Sequence, residues 1–361
     1  MVPKFLLITF GTVENHEKHM HRCLQLAALG LGKTSPNPLV GSVIVHDEKI
    51  IGEGYHQEYG QAHAEVNAIA NVKDKALLTT STLYVNLEPC AHFGKTPPCV
   101  DLIISMNIPR VVICNKDPFP EVAGKGIQKL IDAGIEVIIG VLEKEGRHLN
   151  RRFFTSIEKQ RPFVILKWAK SRDAFMDIDR GSGQKGSHQI TGLSSQRLVH
   201  QWRSQEDAIL VGLNTVTTDN PALTTRLVDG KNPIRVAIDP RGELKDGYRI
   251  FDANARLIIF TDIKNRTTDN STEQRVFIDL TIDPVGEMLN YLHQQKIRSL
   301  IVEGGRFTLS QFLSSEMWDE IRLFTGKDSI LFGMPSPTLT IKPTKTQSVG
   351  DDTLDIYLRT L

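Results

Sequence analysis

The fold is decided by two stretches of the chain: His63-Ala64-Glu65, and Glu88-Pro89-Cys90 followed by Cys99. Together they supply one imidazole, two thiols and a carboxylate. Zinc in proteins prefers nitrogen and thiolate sulfur, and a catalytic zinc site has three protein ligands with the fourth position left to water. His63, Cys90 and Cys99 match that set of three. The sequence therefore predicts a catalytic zinc site, with Glu65 beside it to move protons to and from the water.

Other interpretations of the same residues stay open at this point. A structural zinc site has four protein ligands, and His92 lies close enough in sequence to be the fourth. A disulfide between Cys90 and Cys99 is disfavoured, because four cysteines in 361 residues are typical of a reducing compartment. The two remaining cysteines, Cys23 and Cys114, lie in amphipathic or apolar sequence and are predicted to be core side chains.

Length and composition limit the classes of protein to be considered. A chain of 361 residues is long enough for two domains, each with its own core. The 43 basic and 42 acidic residues give a formal net charge of +1, so no electrostatic signal points to nucleic acid or a membrane surface. No apolar run approaches the roughly 20 residues that cross a bilayer. The expected partner is a small molecule, and the sequence leaves homo-oligomerisation open.

The amino-terminal segment contains a short apolar run from Phe5 to Phe10 with one lysine before it. No small-residue cleavage site clearly follows this run, so a signal peptide is disfavoured. We expect residues 1–15 to be a poorly ordered leader, because helical periodicity begins near His16 and continues to about Leu29. Together with the low cysteine count, these features predict a cytoplasmic protein.

From Pro38 onward, strand-like and helix-like segments alternate, which is typical of an α/β layer architecture. This alternation predicts that His63 and Cys99 start helices and that Cys90 follows a strand. A new apolar strand begins after Arg161, so we predict two domains, residues 16–160 and 161–361. The first has predicted strands at 40–46, 49–52, 83–87, 110–114 and 135–139, and predicted helices at 63–72, from 99 and after 124.

The second domain is also predicted to be α/β. Two of its segments follow strands and offer polar groups or glycines, residues 212–226 and Glu303-Gly304-Gly305. Ligands often bind at the carboxyl ends of strands in such sheets, and glycines at a helix start let amides approach a phosphate. From residue types alone, a nucleotide site and a purely structural domain both stay open. The predicted strands are 163–168, 208–211, 234–238, 257–260, 276–278 and 299–302, with helices at 194–203 and 284–294.

These motifs together resemble the RibD family of bifunctional riboflavin biosynthesis proteins, in which a pyrimidine deaminase is fused to a reductase. The most specific part is the segment from Glu88 to Cys99, in which eight residues separate Cys90 from Cys99. General cytidine and adenosine deaminases usually space the two cysteines by two residues. The other matching segments are 34–41, 54–56 and 63–65 in the first half, and 167–171, 208–212, 219–223 and 303–305 in the second.

The resemblance implies an α/β fold with a cytidine-deaminase-like three-layer α/β/α domain and then a dihydrofolate-reductase-like α/β domain. The first domain is expected to use Zn2+ to deaminate 2,5-diamino-6-(5-phosphoribosylamino)pyrimidin-4(3H)-one to 5-amino-6-(5-phosphoribosylamino)uracil, with Glu65 as the catalytic residue. The implied metal ligands are His63, Cys90 and Cys99, and the implied substrate contacts are Asn37, His56, His92 and Lys95.

For the second domain, the resemblance implies NADPH-dependent reduction of the ribosyl chain to 5-amino-6-(5-phosphoribitylamino)uracil. The chain departs from a frequent Ser-Leu-Asp-Gly pattern at Ser171-Arg172-Asp173-Ala174, and Gln189 stands where tryptophan is frequent. Both departures touch the expected cofactor pocket. The implied substrate contacts are Lys167, Ser187, Arg203, Asp219, Leu223, Arg226 and Glu303; the implied NADPH contacts are Lys170, Gln189, Thr215, Asp219, Gly305, Arg306, Phe307 and Thr308.

Two rival functions are considered beside the two-step enzyme. One is a zinc nucleobase or tRNA deaminase with a non-catalytic carboxyl-terminal recruitment domain, which the balanced charge and the long cysteine spacing disfavour. The other is a zinc-stabilised binding protein without turnover. The rivals differ at Glu65, because only a deaminase needs its carboxylate for chemistry.

Overall fold

The computed structural model describes residues 10–91, 97–119, 123–181, 184–264, 268–269 and 272–359. The chain divides into two compact units, Met1–Lys159 and Gln160–Leu361. Each unit contains a central sheet with helices on both faces. Within the described ranges, none of the helices combines the length and the apolar character that crossing a bilayer requires.

The first unit is built on a mixed five-stranded sheet. Its elements are α1 Phe10–Ala28, β1 Gly41–His46, β2 Lys49–Tyr55, α2 Ala64–Ala70, β3 Thr82–Leu87, α3 Cys99–Ser105, β4 Arg110–Asn115, α4 Lys125–Asp132, β5 Glu136–Ile139, α5 Glu143–Leu149 and α6 Arg151–Glu158. The strand order is β2-β1-β3-β4-β5. β1 is antiparallel to β2 and β3, whereas β3, β4 and β5 run parallel.

Alternating side chains along these strands create a separate apolar core on each face of the sheet. On one face, Ile44 and Val85 pack with residues of α2, α3 and α4. On the other face, Val43 and Tyr84 pack with residues of α1. The predicted three-layer α/β/α arrangement is therefore confirmed. Cys23 and Cys114 are fully buried in this second core, as their apolar surroundings predicted.

Helix α1 begins at Phe10, earlier than the start near His16 that the periodicity predicted. Residues 10–15 were expected to belong to a poorly ordered leader, but they are helical. At the end of this segment, the Asn15 side chain donates a hydrogen bond to Glu48 Oε1 at 3.1 Å. Glu48 lies in the turn between β1 and β2, so the early part of the helix is tied to the sheet. Residues 1–9 lie outside the described part of the chain.

The second unit is a larger α/β layer structure. Its elements are β6 Phe163–Lys170, β7 Phe175–Ile178, α7 Leu193–Gln205, β8 Ala208–Gly212, α8 Leu213–Asp219, β9 Ile234–Ile238, β10 Leu257–Thr261, β11 Thr268–Asp269, β12 Glu273–Phe277, α9 Pro284–Gln294, β13 Ser299–Val302, α10 Arg306–Ser315, β14 Glu320–Thr325, β15 Gly333–Pro335, β16 Lys345–Val349 and β17 Asp352–Leu358. One sheet has the order β11-β12-β10-β9-β8-β13-β6-β14-β17-β16, and β7 pairs with β15 in a separate ribbon.

The central strands of this sheet, from β12 to β14 in the sheet order, are all parallel. Helices α9 and α10 pack on one face, for example through Leu289 and Phe312. Helices α7 and α8 pack on the other, for example through Val199 and Val216. The carboxyl ends of β6, β8 and β13 therefore meet at one edge, which is where ligands bind in open parallel sheets.

The turn between β6 and β7 contains a strained residue. Ala174 has a φ of +68°, in the left-handed region that a residue with a Cβ rarely occupies. Its N–H donates to Ser171 O at 3.0 Å, and its carbonyl accepts from Ser336 N at 2.9 Å. In the Ser-Leu-Asp-Gly pattern that the resemblance implies, glycine stands at this position. The departure noted in the sequence therefore falls on a residue whose backbone favours glycine.

We expect Ala174→Gly to raise the free energy of unfolding of the second unit by about 0.5–1 kcal/mol, because it removes the Cβ strain. Urea unfolding followed by tryptophan fluorescence reports on this unit alone, since Trp168, Trp202 and Trp318 are the three tryptophans of the chain and all lie in it. Ala253→Gly is the matched control at an exposed turn residue outside the set with positive φ, and it should lower stability slightly. Equal losses of unfolding free energy in the two variants would contradict backbone strain at Ala174.

Candidate functional site

The three predicted metal ligands converge at one end of the first sheet. His63 immediately precedes α2, Cys90 follows β3 after Glu88-Pro89, and Cys99 is the first residue of α3. One ligand atom from each lies within 4.8 Å of the others. His63 Nδ1 is 3.3 Å from Cys99 Sγ and 3.6 Å from Cys90 Sγ. One nitrogen and two sulfurs at this spacing fit a single zinc ion with an open fourth position.

The local backbone holds the two sulfurs together. Val100 N donates to Cys90 O at 3.2 Å, and Cys99 N donates to Cys90 Sγ at 3.3 Å. The hydrogen bond from the Cys99 thiol, with a smaller contribution from His63, outweighs the opposing effect of burial and lowers the pKa of Cys90 to about 4. The same interaction raises the pKa of Cys99. None of the four cysteines forms a disulfide, so the pair is available as metal ligands, for which the thiolate is the competent form.

Glu65 lies in the first turn of α2 beside the cysteines and is only 3% exposed. Burial raises its pKa to about 7, the charge of Cys90 acts in the same direction, and His63 opposes them. A carboxyl group with a pKa near neutrality exists in both protonation states at working pH. It is therefore suited to taking up and returning a proton during catalysis.

A cavity of about 300 Å³ opens beside His63, Glu65 and Cys90. The predicted substrate contacts Asn37 and His56 line it. The His56 ring is held on both sides, since its Nε2 is 3.3 Å from Asn37 Nδ2 and its Nδ1 is 3.1 Å from the carbonyl of Ala62. Burial lowers the pKa of His56, which favours the neutral ring. The other two predicted contacts, at positions 92 and 95, lie outside the described residues.

The second unit has a cavity of about 390 Å³ at the carboxyl ends of β6, β8 and β13. A neighbouring cavity of about 620 Å³ shares Thr215 and Gly305 with it. We call the two together the reductase cleft, after the activity that the sequence resemblance implies for this unit. Of the predicted residues, Lys167, Ser187, Gln189, Asp219 and Glu303 line the smaller part, and Arg306, Phe307 and Thr308 line the larger part.

The cleft has features that fit an extended dinucleotide. Helix α10 begins at Arg306 directly behind Gly305, so its amino terminus and a guanidinium lie together, which suits a phosphate. Gly305 N donates to Thr215 Oγ1 at 3.1 Å and links α10 to α8. A Cβ at Gly304 would lie 2.7 Å from Thr308 Cβ, so the glycine permits this close approach.

Glu303 is the buried charge of the cleft. Its carboxylate accepts two hydrogen bonds from Arg203, at 2.9 and 2.8 Å, and one from Lys167 Nζ at 3.2 Å. Burial alone raises the pKa of Glu303, but the charges of Arg203 and Lys167 outweigh it and hold the pKa well below its usual range. Glu303 is therefore a permanent anion that positions two cations.

Four predicted reductase residues do not line the cleft. Leu223 is 3% exposed and packs in the core on the α7 and α8 face. Arg226 donates its backbone N–H to His200 Nδ1 at 3.0 Å. The Lys170 carbonyl accepts from Gly326 N at 2.8 Å at the end of β6. Arg203 is also outside the lining, but Glu303 connects it to the cleft. Ligand contacts at these four positions stay predictions.

Comparisons with known proteins match this two-unit arrangement. A family model for the cytidine and deoxycytidylate deaminase zinc-binding region matches residues 13–115, and one for the RibD C-terminal domain matches residues 162–354. The riboflavin biosynthesis protein RibD of Aquifex aeolicus (strain VF5) is 38% identical over 358 residues, covering 96% of this chain and 99% of that protein. The chain belongs to the RibD family. The RibD protein of Escherichia coli (strain K12) is 35% identical over 328 residues, 85% of this chain and 86% of that protein.

Solved structures of RibD proteins have the same architecture. A deaminase/reductase of this family from Thermotoga maritima superposes with a TM-score of 0.86 at 38% identity, covering 96% of this chain and 99% of that one. RibD of Acinetobacter baumannii gives a TM-score of 0.85 at 30% identity, covering 97% and 100%. The predicted family, its deaminase-like and reductase-like folds and its dependence on Zn2+ and NADPH are thus confirmed, and the chain is a bifunctional RibD enzyme of riboflavin biosynthesis.

Several residues that line the RibD deaminase cavity were not predicted from the sequence as site residues. Tyr59, Gln61 and Asp117 line the cavity. Asp117 follows the carboxyl end of β4, a position that in parallel sheets often carries ligand contacts, and that signal was available in the sequence. Glu88 also lines it and is 4% exposed. Its carboxylate accepts hydrogen bonds from four backbone amides, those of Asp117, Gly124, Gly126 and Ile127, at 3.0–3.2 Å.

We expect Cys99→Ser to lower the zinc content of the purified chain about tenfold or more, because a serine hydroxyl stays protonated where a thiolate would bind. Elemental analysis after dialysis measures this. Cys114→Ser is the matched control, since Cys114 is also buried and donates to Leu142 O at 3.0 Å, a hydrogen bond that a hydroxyl keeps. Equal zinc in Cys99→Ser and the unmodified chain would rule out Cys99 as a ligand.

Proposed function

We propose that the first unit deaminates 2,5-diamino-6-(5-phosphoribosylamino)pyrimidin-4(3H)-one and that the second unit reduces the ribosyl chain of the product, 5-amino-6-(5-phosphoribosylamino)uracil, with NADPH. The observation that carries the proposal is the convergence of His63, Cys90 and Cys99 beside Glu65 at a cavity, in a chain that also contains the RibD C-terminal domain. The Thermotoga maritima relative is named for both activities.

In the deaminase site, Glu65 is the proposed proton carrier. A zinc ion held by His63, Cys90 and Cys99 would supply a water that loses its proton near neutral pH. The Glu65 carboxylate accepts that proton and passes it to the ring nitrogen, while the water oxygen would add to the ring carbon that carries the amino group. Glu65 then takes the second proton from the added oxygen and delivers it to the amino group, so that the C–N bond breaks, ammonia leaves and the oxygen stays as the carbonyl. The position of Glu65 supports this role, because it is buried next to Cys90 and lines the cavity without belonging to the ligand group.

Asn37 and His56 are the proposed ring contacts. The two side chains are in mutual contact on the cavity wall, so they present a fixed pair of polar groups. The His56 ring lies edge-on to the His63 ring at 5.7 Å between centroids, which places the contact next to the ligand group. A rigid polar wall orients a substrate before reaction and lowers the entropic part of the barrier.

In the reductase site, bound NADPH supplies the hydride. Lys167 and Glu303 form an ion pair on the cleft wall, and Asp219 lines the same cavity from the end of α8. We propose that these three groups hold the opened ribose and supply the proton that balances hydride addition to its carbonyl carbon. The Lys167 ammonium is the natural donor to the developing oxyanion, since Glu303 keeps it in place.

The two rival functions are less well supported. A non-catalytic recruitment domain does not account for a second unit that matches the RibD C-terminal domain and carries a charged cleft. A zinc-stabilised binding protein does not account for a buried carboxyl group beside the ligands. We also propose a cytoplasmic location, because a reducing compartment keeps two cysteine ligands as thiols.

We expect Glu65→Gln to lower kcat for deamination by about 10²–10⁴-fold, since glutamine cannot carry the proton. Zinc content and reduction of the already deaminated pyrimidine should be unchanged. Ammonia release measures the first activity and elemental analysis measures the metal. Glu53→Gln serves as the control, because Glu53, on β2, forms a surface ion pair with Arg22 of α1. Undiminished deamination by Glu65→Gln would contradict the proposed role of Glu65 as the proton carrier.

We expect Glu303→Gln to lower kcat/KM for reduction by about 10²-fold or more, because two buried cations lose their partner. Mass spectrometry of the products, with the diaminopyrimidine phosphate and with or without NADPH, reports both steps. The variant should accumulate the deaminated pyrimidine, whereas Glu316→Gln, at an exposed ion pair with Arg359, should complete both steps. Tryptophan fluorescence checks that the second unit is folded. Normal reduction by a folded Glu303→Gln chain would exclude Glu303 from the site.

A further inference from the structure

Asp177 and Arg180 line the reductase cleft together with Asp219, and neither was among the predicted site residues. Arg180 Nε donates to Asp177 Oδ2 at 2.7 Å, and Arg180 Nη2 donates to Asp177 Oδ1 at 2.8 Å. The same Nη2 lies 4.0 Å from Asp219 Oδ1. One guanidinium is therefore shared between two carboxylates on the wall of the cleft.

This arrangement differs from an ordinary local ion pair. Exposed pairs close in sequence contribute little to stability, because water screens them. Here the Arg180 side chain is 14% exposed and the Asp177 side chain 24% exposed, and both face the cavity. Two parallel hydrogen bonds between a guanidinium and a carboxylate also fix the orientation of the guanidinium, in addition to pairing the charges. The geometry thus aims Arg180 along the cleft wall toward Asp219.

Asp177 is itself rigidly placed. It lies in β7, opposite Met334 in β15. Gly333 approaches so closely that a Cβ there would lie 2.1 Å from the Asp177 carbonyl oxygen. Ile178 N donates to Asp177 Oδ1 at 2.9 Å. The ribbon therefore fixes the backbone and the carboxylate of Asp177, and the carboxylate in turn fixes Arg180.

Asp219 is the carboxylate that depends on this support. It is the last residue of α8, followed by Asn220 in the left-handed conformation with a φ of +44°. Burial raises the pKa of Asp219, the charge of Arg180 lowers it, and Asp177 raises it. Arg180 is therefore the neighbour that favours the charged form. In the same cavity, the Glu303 carboxylate pairs with two cations, Lys167 and Arg203. Among the described residues, Asp219 has only Arg180, which it shares with the carboxylate of Asp177.

We propose that Arg180, held by Asp177, is a positioning residue of the reductase site that acts through Asp219 and fixes its carboxylate for contact with NADPH and the sugar. The inference rests on the proposed reductase function and adds two residues to it. Arg180 does not need to touch the ligand, because its effect is on the direction and charge of Asp219. Its contribution should disappear when Asp219 no longer carries a charge.

The test is a double-mutant cycle in the full chain with Arg180→Gln, Asp219→Asn and both together. Isothermal titration with NADPH gives the dissociation constant, and nicotinamide absorbance with the deaminated pyrimidine gives kcat and KM. We expect Arg180→Gln to weaken NADPH binding and to lower kcat/KM by about tenfold. In the Asp219→Asn background the same change should alter NADPH binding by less than about twofold. Arg180→Lys keeps the charge but not the two-point contact with Asp177, so its dissociation constant for NADPH should lie between those of Arg180→Gln and the unmodified chain.

Arg359→Gln is the control, since Arg359 forms an exposed ion pair with Glu316 outside the cleft lining. Tryptophan fluorescence confirms folding of the second unit. Unchanged NADPH binding in Arg180→Gln would overturn the proposal, and so would an equal tenfold loss in the Asp219→Asn background or NADPH binding in Arg180→Lys that is no tighter than in Arg180→Gln. Failure of the reductase function itself is a separate result, because the unmodified chain would then neither bind nor oxidise NADPH.

Discussion

Both units depend on one constraint, which is that parallel strands end together at one edge of a sheet. At that edge the chain leaves the sheet, and polar groups there face a cavity rather than a core. In the first unit, Cys90 and Asp117 follow the parallel strands β3 and β4. In the second, Lys167 lies in β6, Asp219 ends the helix after β8, and Glu303 follows β13. Each site is therefore assembled from residues far apart in sequence.

Each site contains a buried carboxylate, and the two carboxylates are stabilised by different kinds of donor. Glu88 has four backbone amides as donors, two from the loop before α4 and two from the first turn of α4. Glu303 has two cationic side chains instead. The first arrangement fixes backbone and suits a structural support behind the ligand group. The second holds an ammonium, that of Lys167, at the cavity wall, where a reacting group can use it.

The sequence predicted most of this fold and most of the first site for identifiable reasons. Strands such as β8 and β13 are short apolar runs, and His63, Glu65, Cys90 and Cys99 form a spaced motif. The ribbon of β7 and β15 was missed because all four residues of β7 are half-buried and give no alternation. Arg180 was not predicted as a site residue either, because its proposed role depends on its proximity to Asp219, which is distant in sequence. Contacts that arise from pairing between distant strands leave no local pattern.

Alanine in place of glycine at position 174 affects the stability of the second unit more than the geometry of the cleft. The reason is that a nearby carboxylate holds the ribbon of β7 and β15 in place whatever the residue at position 174. Asp173 accepts hydrogen bonds from Ser171 Oγ and from the backbone amides of Ile330 and Leu331, the latter two at 3.0 and 2.8 Å. These bonds connect the β6–β7 turn to the segment before β15. The strain at Ala174 is therefore local, while the position of Asp177 along β7 is fixed by the pairing with β15. A chain with this anchor tolerates alanine in the turn and still presents Asp177 and Arg180 to the reductase cleft.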